Sequence, residues 1–69
     1  VGYANRAYAY SDRGQYQEAI QDYSKAIQLD PNYALGYNNR ALDYASLGRY
    51  NESESDFAMA CSLDSQYCS

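Results

Sequence analysis

The chain has no histidine and no tryptophan, a single proline, a single phenylalanine and only two cysteines in 69 residues. Without histidine the commonest general base of enzymes is missing. Two cysteines alone do not complete a zinc quartet. Cys61 and Cys68 have no neighbouring base in sequence, and no glycine-rich phosphate loop follows a strand-like stretch. The sequence therefore predicts a protein that is not an enzyme and takes no cofactor and no metal. Cations are scarce too: Lys25, Arg6, Arg13, Arg40 and Arg49 face nine acidic residues, for a net charge of −4. A nucleic-acid partner is disfavoured, because binding draws on positive charge that displaces counterions from phosphate. No apolar run is long enough to span a bilayer, so membrane insertion is not expected.

What the chain does have is tyrosine, ten of them, and a repeat. A shift of 34 residues lays Gly2-Tyr3 on Gly36-Tyr37 and Asn5-Arg6-Ala7 on Asn39-Arg40-Ala41. The same shift pairs Tyr10 with Tyr44, Gly14 with Gly48, Tyr16 with Tyr50, Asp22 with Asp56, Ala26 with Ala60 and Leu29-Asp30 with Leu63-Asp64. Each unit reads as two helices. Tyr3, Ala7 and Tyr10 share one helical face, and Gly14 supplies the left-handed stop. Tyr16, Ala19, Ile20, Tyr23, Ala26 and Ile27 form the stripe of a second helix. Asp30-Pro31 ends that helix, since the residue before proline is pushed out of helical geometry. Asn32 is expected to cap a third helix, from about residue 34 to Leu47, and the fourth runs from about Asn51 to Leu63. Small alanines let the helices approach while tyrosine rings fill the space beside them.

The order Tyr3…Ala7…Tyr10…Gly14…Tyr16…Ala19…Tyr23…Ala26…Pro31 resembles the tetratricopeptide repeat, whose period is also 34 residues. The resemblance implies an all-α fold, two helix-turn-helix repeats giving four antiparallel helices in a right-handed α-solenoid. It places one repeat at 1–33 and another at 34–67, with 68–69 as a tail or the start of a following helix. In the second repeat Ser53 replaces Ala19 and Ser65 replaces Pro31, substitutions expected to weaken that copy without moving its register. It also implies a protein or peptide partner, held by the first helix of each hairpin. The groove candidates are Asn5, Tyr8, Asp12, Leu35, Asn38, Asn39 and Leu42, with Val1, Ala4, Ser11, Ala45 and Ser46 beside them. Asparagine amides can both donate to and accept from a peptide backbone. The clamp by which some relatives hold a partner's terminal carboxylate is incomplete: Asn39 fits it, but Ala4 and Tyr8 stand where its lysine and second asparagine belong.

Arg6 and Arg40 stand where the family often has leucine, and Asp22 and Asp56 recur with the same period. Ion pairs between helices are the structural reading, and a grip on an acidic ligand the functional one. Glu52, Glu54 and Asp56 alternate along a helix, where neighbours two apart point in different directions, and they read as a solvated face rather than a calcium site. In one continuous helix Cys61 and Cys68 would stand about 10 Å apart, too far for a disulfide. A turn at residues 64–66 instead lets them face each other. Asn51-Glu52-Ser53 is an N-glycosylation triplet. The family's default location is cytoplasmic, and these two features make a secreted location the alternative. Two repeats leave both end faces uncovered, and the leading expectation is an excerpt from a longer array. Copies of the chain stacked head to tail are the alternative, with Glu54 of one copy meeting Arg6 of the next.

Overall fold

The computed structural model describes residues 2–68, so Val1 lies outside the described residues. Four α-helices and no strand occur among them: α1 (Tyr3–Asp12), α2 (Tyr16–Leu29), α3 (Ala34–Ser46) and α4 (Tyr50–Leu63), followed by a 3₁₀ turn, η1 (Ser65–Tyr67). α1 packs on α2, α2 on α3 and α3 on α4, and α1 also touches α3. Two hairpins thus stand side by side.

The two glycine stops are alike. Gly14 and Gly48 have φ of 79° and 78°, a region where a Cβ is strained. The Gln15 N–H donates to the Tyr10 carbonyl at 2.9 Å and the Arg49 N–H to that of Tyr44 at 2.9 Å. Each closes a helix end that would otherwise leave its carbonyls unpartnered. The second stop is shared in a less obvious way. Asp30 and Asp64 are both extended, and each carboxylate accepts the N–H two residues on, at 3.2 Å from Asn32 and 3.1 Å from Gln66. The recurring aspartate therefore makes both turns, and proline assists only the first. Asn32 does not cap α3: it stands one residue before the N-cap position, which Tyr33 takes with no side-chain bond.

Ala7, Ala19, Ala41 and Ala60 are fully buried, and Tyr23, 1% exposed, packs with Ala7 and Ala19. Ser53, at the position of Ala19, is buried as well, and its hydroxyl donates to the Ala41 carbonyl at 2.8 Å. The substitution is thereby satisfied rather than left as a bare polar group. Ile20 and Ile27 are buried, and Ile27 lies against α3 at Gly36. Their counterparts on α4 differ: Glu54 is exposed, and Cys61 is joined by a disulfide to Cys68, with Cα atoms 4.6 Å apart. Tyr67 is half-buried beside that link.

Gly36 sits where α3 meets α2. A Cβ there would come within 2.6 Å of the Tyr33 ring and 3.3 Å of Ile27. Gly36→Ala is expected to destabilise the chain by up to about 2 kcal/mol, since overpacking of about 1–3 kcal/mol is offset by alanine's helix preference of about 1 kcal/mol. At Gly2 a Cβ would make only an ordinary contact, 3.8 Å from the Ala4 nitrogen, and Gly2→Ala is expected to be near neutral. Urea unfolding of the two variants checks the contrast.

Candidate functional site

The periodic charges face α2 and α4. The Arg6 Nε and Nη2 donate to the two Asp22 oxygens at 2.7 and 2.9 Å. Arg40 holds Asp56 in the same way, at 2.7 and 2.7 Å. Each pair joins the two helices of one hairpin. Arg40 is the more enclosed: its guanidinium also donates to the Ser24 hydroxyl at 3.1 Å, and lies 5.5 and 5.8 Å from the Tyr37 and Tyr44 ring centres. Arg6 has only the Tyr3 ring, at 5.7 Å. The hydrogen bond from Arg6 holds the Asp22 carboxyl below its usual range. These arginines tie helices together.

The other face of α1 and α3 is built differently. Tyr8 is 66% exposed, Leu42 51% and Leu35 42%. Asn5 and Asp12 are exposed, and Asn38 half-buried. These are large apolar surfaces beside amides, on two helices that touch. Asn39 is half-buried and its side chain lies by Tyr23. Burial pushes the Tyr23 phenol up to about 12, with Asn39 acting the opposite way and the Asp43 charge adding to the rise. Ala4 packs on the Ala7–Ala19–Tyr23 cluster, so it contributes to the core rather than to the open surface.

The seam between α1 and α3 holds a residue that the sequence did not single out. Asp43 is 2% exposed. One of its oxygens accepts the Ser11 hydroxyl across the seam, and the other has no hydrogen-bond partner. Burial raises its carboxyl above the usual range, and Ser11 opposes the rise. The only hint in the sequence is that Asp43 breaks the repeat, since Ala9 stands at its place in the first unit.

The acidic residues at the start of α4 are separated: Glu52 pairs with Arg49 at 2.9 Å, Asp56 with Arg40, and Glu54 is exposed. No group of three or more histidine, cysteine, aspartate or glutamate side chains fit to hold a metal occurs among the described residues. No helix among them is long and apolar enough to cross a membrane. Asn51 is exposed in the first turn of α4. The Ser53 of its triplet is buried and bonded to Ala41, so the acceptor sequence is not open in the folded chain. An apolar depression lined by Tyr3, Ala4, Ala26, Leu29 and Tyr33 lies where α1 begins and α2 ends, away from Tyr8 and Leu42.

Family models of the tetratricopeptide repeat match residues 1–33 and residues 34–63. No curated protein matches the chain.

Proposed function

Given that the chain belongs to the tetratricopeptide repeat family, whose repeats mediate protein–protein interaction, we propose that it is a non-catalytic scaffold holding an extended partner segment on α1 and α3. One observation carries this reading. Large apolar side chains are left in water on every helix, Leu29 on α2 and Tyr50 and Met59 on α4 among them, but Tyr8, Leu35 and Leu42 stand on two neighbouring helices among the amides of Asn5 and Asn38. Apolar contact from the first set and backbone hydrogen bonds from the second suit a peptide without a defined fold. Asn39 contributes from the edge, with its amide shared between Tyr23 and the groove. The Cys61–Cys68 bridge supports an oxidising compartment as the place of action.

Tyr8→Ala and Leu42→Ala test the proposal cleanly, because both side chains are exposed and their loss leaves the core intact. Each is expected to weaken a groove-bound peptide by about 1 kcal/mol or more, with helicity and melting unchanged. Isothermal titration against a peptide selected from a random display library reads the effect. Unchanged affinity in both variants places binding elsewhere.

A further inference from the structure

Resting on the groove reading, we propose that the bound segment carries a cationic side chain, arginine or lysine, seated over the α1–α3 seam at Asp43 and Asp12 with Tyr8 alongside. The first support is the distribution of charge. Arg6 and Arg40 are committed to Asp22 and Asp56, and Arg49 to Glu52. Lys25 lies on α2 and Arg13 caps the end of α1. Along the groove side of α1 and α3 the charged residues are Asp12 and Asp43, both acidic.

The second support is Asp43 itself. A carboxylate with a buried, unpartnered oxygen costs the fold free energy. The charges that the architecture uses recur with the repeat, as Arg6 with Arg40 and Asp22 with Asp56. Asp43 does not recur; its counterpart is Ala9. The fold therefore works with a methyl group at that place in one hairpin and carries an uncompensated acid in the other. A cation arriving over Ser11, which is half-buried, supplies what the seam lacks. The attraction acts through a layer with little water, where charges are screened less than in bulk solvent. The exposed Tyr8 ring offers a face for the same cation.

The probes are three ten-residue alanine–serine peptides, identical except for a central arginine, leucine or glutamate. Each is titrated into the ¹⁵N-labelled chain. The arginine peptide is expected to shift the amides of Tyr8, Ser11 and Asp43 and to bind more tightly than the leucine peptide, with the glutamate peptide weakest. Asp43→Asn should reduce the arginine peptide's affinity roughly tenfold and bring it level with leucine, while the variant stays folded. Arginine binding no better than leucine, or binding unaltered in Asp43→Asn, overturns the cationic partner and leaves the groove reading standing. No groove shift with any of the three overturns both.

Discussion

Replacing Asp43 by asparagine is expected to raise the melting temperature of the chain at neutral pH by several degrees. Asparagine keeps an oxygen for the Ser11 hydroxyl and removes the buried negative charge. The amide nitrogen then takes the unpartnered place of the second oxygen, so the gain comes from the lost charge alone and is on the order of 1 kcal/mol, and small domains convert each kcal/mol into several degrees. The pH dependence gives a signature. Because burial raises the Asp43 carboxyl in the folded chain, the folded state binds its proton more tightly than the unfolded one. The destabilisation is complete above the raised folded value and absent below the ordinary carboxylate range. The advantage of Asp43→Asn should therefore vanish as pH falls through that window. Asp22 behaves oppositely: lowered by Arg6, it stabilises at neutral pH, and that contribution is lost on acidification through its depressed value. Subtracting the wild-type curve from the variant's isolates Asp43. Ser11→Ala should move stability the other way, since it strips the carboxylate of the hydrogen bond it has. A variant no more stable than wild type at neutral pH would contradict this account.

Reducing the Cys61–Cys68 disulfide is expected to destabilise the chain by about 2 kcal/mol, the chain-entropy value for so short a loop. The effect reaches the fold through α4. Where α2 closes its outer face with Ile27 against α3, α4 has Cys61 instead, and its bridge reaches Cys68, the register position of Ala34 at the start of α3. The bridge holds η1 and Tyr67 against the last turn of α4, in place of the apolar contact made by the first repeat. Urea midpoints with and without a phosphine reductant measure the loss. Hydrogen exchange should locate it, with amides from Ala60 to Leu63 accelerating more than those of α2. Equal midpoints in the two conditions would mean that the segment unfolds independently of the rest.

Helix positions and stops were legible because they depend on neighbours in sequence. Gly14, Gly48 and the apolar stripe of α2 fix them locally, and the 34-residue echo supplies the phase. Arg40 and its two candidate partners, Asp22 and Asp56, were visible for the same reason, since paired positions recur together. The seam was not legible. Ser11 and Asp43 are 32 residues apart, and their contact depends on how α1 and α3 are set against each other. Ser53 read as a weakening of the second repeat, because its acceptor, the Ala41 carbonyl, becomes apparent only when α3 and α4 are placed. Asn32 falls one residue short of the α3 cap position, which Tyr33 takes, and helix ends are the part of the pattern that sequence fixes least closely. Asn39 read as an open groove residue, whereas the fold sets its side chain against Tyr23.

The most direct measurement is the footprint of a peptide selected from a random display library on the ¹⁵N-labelled chain. The account predicts amide shifts concentrated on Tyr8, Asn38, Asn39 and Leu42, with the solvent-facing residues of α2 and α4 unmoved. A footprint on α2 and α4 that leaves α1 and α3 unshifted would contradict it.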